Sequence, residues 1–450
     1  MKTLIIVSCL GLMTLWSGRT WAGGDDAVFK DTLQAMQQRI KQLEDEVRQL
    51  KAAPPPAPQV EPEKASTLDA LSKRVEKIEG LSILKGIEVH GFVAGDYTYN
   101  LNRPQSRKNG LLLFNEDDNT FSLNQANLEV SRSADSGLGF LADLDFGDTA
   151  EIVGGVTRWS NNPNNTENRN SIELRQAYLT YKFSIGNGLT LKAGKFVTLH
   201  GAEVIKSWNN FNYNISNSIL FGFSIPFTHT GLMASYPIND YLAVDLGVVN
   251  GWDNVADNND GKTFHGGLTI KPHETLSLYI SGSYGAEQDN RGDSQRAMLT
   301  TLLTFKPIDR LTFIVDHNWG HESDLCNKTF TFCGATALAP VADGGGGLHK
   351  GDLTKAAEWH GIAGYALVTL TDDLSFALRG EWFADMDTVR TGVRQDLWEL
   401  TPTLTYTIAE GLLARFEYRH DESSKKFFEN HKGNLLSGQD IFAGELIYAF

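Results

Sequence analysis

Between Ile87 and the C terminus, apolar and polar residues alternate with a period of two, as in strands with one apolar and one wet face. Leu412, Ala414, Phe416 and Tyr418 share one side, while Leu413, Arg415, Glu417 and Arg419 take the other. Leu138, Phe140, Ala142, Leu144 and Phe146 stand against Asp143 and Asp145, and Leu242, Val244, Leu246 and Val248 against Asp245. Soluble sandwiches alternate too, so the connections have to decide. Short turns fall at 133–137, 184–188, 237–240, 272–275, 307–310, 371–373 and 409–411. Long polar stretches lie between them at 100–120, 147–171, 198–228, 251–262, 285–294, 320–357, 384–394 and 421–438. Short turns on one side and long loops on the other are the habit of transmembrane barrels. The seven short and eight long connections predict an all-β, antiparallel barrel of about 16 strands over 87–450, with both ends on the short-turn, periplasmic side.

A different period governs the first part of the chain. Phe29, Leu33, Met36, Ile40, Leu43, Val47 and Leu50 alternate spacings of four and three, which predicts a periplasmic coiled-coil helix over 25–51, with an amphipathic surface helix as the alternative. Arg39 with Glu44, and Glu46 with Lys51, complement one another across a parallel neighbour. Ile40 and Val47 lean toward a dimer by the simple heptad rule. Residues 52–64 hold Pro54, Pro55, Pro56, Pro58 and Pro62 and form a semi-rigid linker. A shorter heptad helix follows over 67–85, with Leu68, Leu71, Val75 and Ile78. Lys2, the apolar run from Leu4 to Trp16 and the small-residue pattern ending at Ala22 make 1–22 a secretory signal peptide.

Removal of Lys2 and Arg19 takes the formal charge from −15 to −17, which argues against a nucleic-acid partner. No run after the signal reaches the roughly 18 apolar residues of a membrane helix. Cys326 and Cys333 share one polar segment, and in an exported chain they read as a loop disulfide. No His or Cys cluster with zinc spacing accompanies them, Asp253, Asp257 and Asp260 miss the spacing of a calcium loop, and no phosphate cradle is present, so neither metal nor cofactor is expected. Tyr97, Tyr99, Trp252, Tyr284, Trp319, Trp382 and Tyr418 cluster toward the long loops, and Tyr181, Phe183, Tyr236, Phe305 and Tyr406 toward the turns, like the two interfacial girdles of a membrane barrel. Phe442, Gly444, Leu446, Tyr448 and Phe450 make the last lipid-facing side and look like the signal read by the barrel-assembly machinery.

Leu123-Asn124-Gln125-Ala126, Arg175-Gln176-Ala177-Tyr178, Ala193-Gly194-Lys195-Phe196, Ile225-Pro226-Phe227 and Val249-Asn250-Gly251-Trp252-Asp253 together resemble the OmpL-like β-barrel porin family over most of 87–450. The resemblance implies passive passage of small hydrophilic solutes or ions across a bacterial outer membrane. Porins of this size are usually trimers, so a homo-oligomer is expected, trimeric by resemblance and dimeric by the heptad rule.

Alternation places Glu129, Asp143, Asp145, Asp245, Asp316, Glu381 and Glu417 inside, with Lys182, Lys192, Arg379, Arg415 and Arg419. Fixed charges in a narrow tube set which ions concentrate there, and this near balance predicts at most a weak cation preference. Ile219, Leu220, Phe221, Phe223, Ile225 and Phe227 are unusually apolar for a solvated loop. Two readings are open: a constriction folded into the lumen, or an extra hairpin over 202–208 and 218–225 that makes 18 strands. His321 and Ser323, on the outward parity, resemble the base and nucleophile of outer-membrane lipid hydrolases, an enzymatic rival to a non-enzymatic channel. A periplasmic tether built on the coiled coil is a third possibility.

Overall fold

The computed structural model describes residues 86–133, 135–157, 171–323 and 356–450, together with Lys41. Apart from Lys41, the signal peptide, coiled coil, linker and short heptad lie outside the described residues, as do Cys326 and Cys333.

Sixteen strands form one closed antiparallel barrel. In chain order they begin with β1 (Glu88–Asn100), β2 (Thr120–Arg132), β3 (Gly137–Phe146), β4 (Ile172–Phe183), β5 (Leu189–Val197), β6 (Thr228–Asn239), β7 (Leu242–Val249) and β8 (Thr263–His273). They continue with β9 (Leu276–Gln288), β10 (Arg291–Ile308), β11 (Leu311–Glu322), β12 (Ala357–Thr369), β13 (Leu374–Asp385), β14 (Gln395–Ala409), β15 (Leu412–Ser423) and, last, β18 (Gly438–Ala449). A tiny hairpin of β16 (Phe428–Glu429) and β17 (Leu435–Leu436) interrupts the loop before β18 and stays out of the barrel. Chain neighbours pair throughout, and β1 closes the ring on β18 with Phe92 opposite Ala449. The closure continues past the last strand, because Gly91 N donates to Phe450 O at 3.0 Å and Phe450 N to Gly91 O at 2.9 Å. Closing the sheet leaves no open edge for hydrogen bonds to go unmet in lipid.

The 18-strand alternative is therefore corrected. Residues 218–225 hold a π-helical turn at Leu220–Ser224 instead of a strand, since they lie beside no sheet edge that could pair with them. Residues 285–294 were expected as a long loop, yet β9 runs to Gln288 and β10 starts at Arg291. The turn-forming residues Asp289 and Asn290 supply the whole connection, Asn290 adopting φ 56°, a left-handed conformation Asn tolerates.

Outward positions carry exposed apolar residues: Leu232 is 64 % exposed, Leu246 65 %, Phe416 57 % and Leu446 57 %. The inside is not an open tube. Leu111, Leu113 and Phe114 from the β1–β2 connection, Ile152 and Val153 from a helix α1 (Asp148–Val156), and Phe427 and Phe428 before and in β16 all enter one buried cluster. There they meet inward residues of the wall, among them Ile314, Trp359, Tyr365, Phe383 and Leu397.

Candidate functional site

The chain between β5 and β6 builds most of the barrel's interior. It leaves β5 and returns at the neighbouring β6, yet its middle reaches the opposite wall. Asn214 Nδ2 donates to Thr401 O at 3.1 Å on β14, and Ile215 N and Ser216 N donate to Glu417 of β15 at 2.6 and 3.0 Å. Ile219 N and Leu220 N reach Glu381 of β13 at 2.5 and 3.1 Å. A carboxylate pointing into a barrel can accept two backbone N–H groups at once, which fixes a loop that has no ladder of its own. Lower on the wall, Trp208 stacks on His90 of β1 with ring centroids 3.7 Å apart and a 15° interplanar angle.

Residues 198–227 thus cross the lumen. Ile219, Leu220, Phe221, Phe223, Ile225 and Phe227 are each no more than 4 % exposed, packed in the shared cluster with the π-turn at its centre. Trp359 Nε1 donates to Ser224 O at 3.1 Å, and the Arg390 guanidinium donates to Phe223 O. Arg390 lies 5.0 Å from the ring centroids of both Trp252 and Trp359.

The inward charges fall into two groups. Asp143 and Asp145 meet Arg175, which also donates to the Lys206 carbonyl, and Asn127 Nδ2 reaches Asp145 Oδ1 at 2.7 Å. Lys206 pairs with Glu445, which accepts from Arg415 Nη1 at 2.9 Å. Arg379 bridges Glu203 at 2.8 Å and Glu399 at 2.6 Å, and Arg419 Nη2 meets Asp421 Oδ1 at 2.8 Å. Asp316 Oδ2 accepts from Ala202 N at 2.8 Å, and Trp208 Nε1 stands 3.4 Å from Glu129 Oε1. Most of these charges are therefore consumed in holding the loop.

Lys182, Lys192 and Asp245 stand apart from this network. Lys192 Nζ lies 4.6 Å over the Tyr178 ring, Asp245 accepts from Ser235 Oγ, and Lys182 is exposed. The inner face of β4 to β9 nearest the turns thus stays open to solvent, whereas Arg379, Glu399, Thr401 and Arg419 across the barrel are at most 2 % exposed. On the loop side a cavity of about 160 Å³ lies between α1 and the β1–β2 connection, lined by Asp96, Glu116, Asp117, Asp148, Glu151 and Lys108 among others. Burial, with Asp117, Glu151 and Glu116 close by, raises the Asp148 carboxyl above the usual aspartate range, against a hydrogen bond from Ser122.

Alternation alone missed Arg175, Glu203 and Lys206. Arg175 sits where the β3–β4 register shifts at Asp143 and Leu144, so parity could not assign its side. Glu203 and Lys206 belong to a loop, where period two has no meaning, although the quoted Arg175-Gln176-Ala177 motif marked the first of the three.

His321 and Ser323 are not brought together. The His321 ring stacks on Trp319 and its Nδ1 is 3.5 Å from Glu358, while Ser323 Oγ accepts from Gln295 N at 2.8 Å. Asp253, Asp257 and Asp260 do not converge either: Asp253 accepts from Phe227 N and Thr228 N, both at 2.8 Å, and Asp257 pairs with Lys262. Among the described residues no group of three or more His, Cys, Asp or Glu side chains is placed to hold a metal ion.

Solved barrels share this architecture. The chain is similar to an anion-selective porin from Comamonas acidovorans, with TM-score 0.52 and 8 % identity over 81 % of this chain and 99 % of that one. It is similar also to OprB of Pseudomonas putida, with TM-score 0.50 and 10 % identity over 85 % and 97 % of the two chains. No curated protein matches the sequence. Residues 86–450 match the family model described as "Putative beta-barrel porin-2, OmpL-like", and the chain belongs to that porin family.

Proposed function

We propose that this porin passes small hydrophilic solutes or ions passively, through a bore much narrower than its strand number alone would allow. The observation that carries the reading is the loop 198–227, anchored by backbone donors to Glu381 and Glu417 on the wall opposite its own strands. A barrel of sixteen strands has room for an aqueous channel, so a lumen-crossing loop sets the bore. Solutes follow the face of β4 to β9 that the loop leaves uncovered, past Lys192, Tyr178 and Asp245. The inward residues named from the alternation, seven acidic and five basic, support a weak cation preference at most. The short turns face the periplasm and the long loops the outside of the cell, and the protein assembles as a trimer, with a dimer as the alternative from the N-terminal heptads. The signal peptide, coiled coil, linker and short heptad keep their proposed bounds at 1–22, 25–51, 52–64 and 67–85. Cys326 and Cys333 are proposed to form a disulfide.

Planar-bilayer recording across a potassium chloride gradient tests the reading. Small, ohmic steps with a reversal potential slightly toward potassium are expected. A reversal potential favouring chloride overturns the selectivity, and absence of steps from correctly folded protein overturns passive conduction.

A further inference from the structure

The chain carries a formal charge of −15, yet two of its long connections gather exposed cations. Arg103 and Arg107 stand in the β1–β2 connection, Lys425, Lys426 and Lys432 in the β15–β18 connection around its small hairpin, and all five are exposed. The two segments are bonded to each other: Gln105 N donates to Asn430 O at 3.1 Å and Ser106 N to Glu429 Oε2 at 2.9 Å. Arg103 and Arg107 flank Gln105 in sequence, and Lys432 follows Asn430 closely, so cations stand on both sides of this seam. Arg103, Lys425, Lys426 and Lys432 form no ion pair among the described residues, and Arg107 reaches Asp118 only at 3.5 Å with its side chain 63 % exposed. Carboxylates of the same segments are engaged: Glu116 and Asp117 hold Lys108 at 2.8 and 2.6 Å, and Glu429 accepts the Ser106 N–H.

The backbone under the two arginines is unusual. Arg103 has φ 51° and Arg107 φ 61°, the left-handed region that glycine or asparagine enters at less cost. Each is locked by a turn, Arg103 N donating to Asn100 O at 2.9 Å and Arg107 N to Pro104 O at 3.0 Å. Strain of this kind gathers at functional positions, and here it presents two exposed guanidiniums. Lys432 is fixed as well, because Asn430 Oδ1 accepts from its N–H at 2.9 Å. Phe427 and Phe428 from one segment and Leu113 and Phe114 from the other are buried in the interior cluster, which anchors the whole patch.

The patch lies at the rim. The strands that carry it, β2, β1, β18 and β15, are consecutive in the barrel. Near their ends toward the patch, Tyr97 pairs with Phe121 and Tyr418 with Phe442 on the outward face, with ring centroids 4.6 and 5.3 Å apart. Phe121 is 85 % exposed. Outward aromatic residues of a membrane barrel mark headgroup level, and long cationic side chains just beyond them reach lipid phosphates. This aromatic row favours a lipid over a free solute as the occupant.

We propose that Arg103, Arg107 and Lys432, with Lys425 and Lys426 beside them, bind the phosphate groups of a phosphorylated glycolipid in the outer leaflet. The inference rests on the proposed outward direction of the long loops. A guanidinium matches phosphate oxygens two at a time, and lysine adds a point charge. Anchored segments lose little freedom on binding.

Full-length protein folded in detergent is titrated with diphosphorylated lipid A and with the same lipid stripped of phosphate, and bound lipid is counted by native mass spectrometry. The expected result is that the phosphorylated form binds roughly tenfold or more tighter, and less so as salt rises. Arg103→Gly/Arg107→Gly/Lys432→Gln should bind it roughly tenfold more weakly yet unfold no earlier than wild type, because glycine relieves both left-handed positions. Equal binding of the two lipids, or equal binding by wild type and the folded variant, overturns the proposal. Should the variant fail to fold, the two lipids on wild type decide. Displacement of the lipid by an equal concentration of inorganic phosphate would assign the patch to a free anion, and preference for polygalacturonate would assign it to an acidic polysaccharide; either result overturns the lipid. Membrane-impermeant amine biotinylation of intact cells tests the direction separately: Lys425, Lys426 and Lys432 should be labelled. Labelling of these lysines only after lysis overturns the outward loops, whatever lipid binding in detergent shows.

Discussion

Arg379 Nη1 donates to Glu203 Oε1 at 2.8 Å although 176 residues separate the two in the chain. The same guanidinium holds Glu399 at 2.6 Å and the Ser216 carbonyl at 2.7 Å. One strand residue thereby holds the lumen loop at two places, Glu203 and Ser216. Removing one member of a buried ion set leaves the others uncompensated, at a cost of about 3–5 kcal/mol. Arg379→Ala should therefore lower the unfolding temperature and expose residues 198–227 to protease. Changing Glu203 and Glu399 to Gln in the same molecule, with Arg379→Met, should recover much of the loss, since the two carboxylates that Arg379 paired with are then neutral as well.

Arg390 is held by indoles where Arg379 is held by carboxylates. It is 2 % exposed, forms no ion pair among the described residues, and lies 5.0 Å from the ring centroids of both Trp252 and Trp359, which meet edge to face at 78°. A desolvated cation over an aromatic face contributes about 2 kcal/mol. Arg390→Ala should destabilise the protein by about that amount and shift tryptophan fluorescence toward longer wavelength. Arg390→Lys should fail to restore either, because an ammonium lacks the planar fork that donates to Phe223 O while lying over the indoles; full restoration would argue for charge alone.

Asp253 makes stability depend on pH. Burial raises its carboxyl to about 6, against the lowering effect of the Thr228 and Phe227 backbone donors. A carboxyl whose folded pKa lies above its unfolded value of 3.8 binds more protons in the folded state between those two values. Its contribution is fully present below pH 3.8 and is lost as the pH rises through about 6. Unfolding temperature measured against pH should carry a falling component over that window. Asp253→Asn should remove this component, and an unchanged slope in the variant would assign it elsewhere.

Gly320 on β11 gives Trp359 its place. A Cβ added at Gly320 would fall 2.1 Å from Trp359 Cε2, against a ring that is 1 % exposed and anchored to Ser224 O. Overpacking of this kind costs about 1–3 kcal/mol. Gly320→Ala should displace the indole and weaken its hold on the π-turn, seen as faster proteolysis in 198–227. A variant as resistant as wild type would show that the turn is held without Trp359.

The strands were legible because lipid on one side and water or protein on the other impose period two, which a sequence displays directly. Turn chemistry was equally plain at 409–411 and 371–373. It misled at 285–294, where Gly285, Asp289, Asn290 and Gly292 suggested a long loop although only Asp289 and Asn290 are needed to turn the chain. The apolar run from Ile219 to Ile225 has no clear period, so a strand and a buried turn were equally compatible with it. What the sequence could not display was partnership at a distance. Glu203 with Arg379 and Lys206 with Glu445 are joined only when the loop crosses the barrel.

The central claim is that residues 198–227 set the bore. Single-channel conductance of a variant lacking residues 218–225, compared with wild type in the same bilayer, tests it most directly. A several-fold rise in conductance, with barrel folding intact by circular dichroism and heat-modified mobility, is the outcome this account requires. Unchanged conductance from an equally well folded barrel would contradict it.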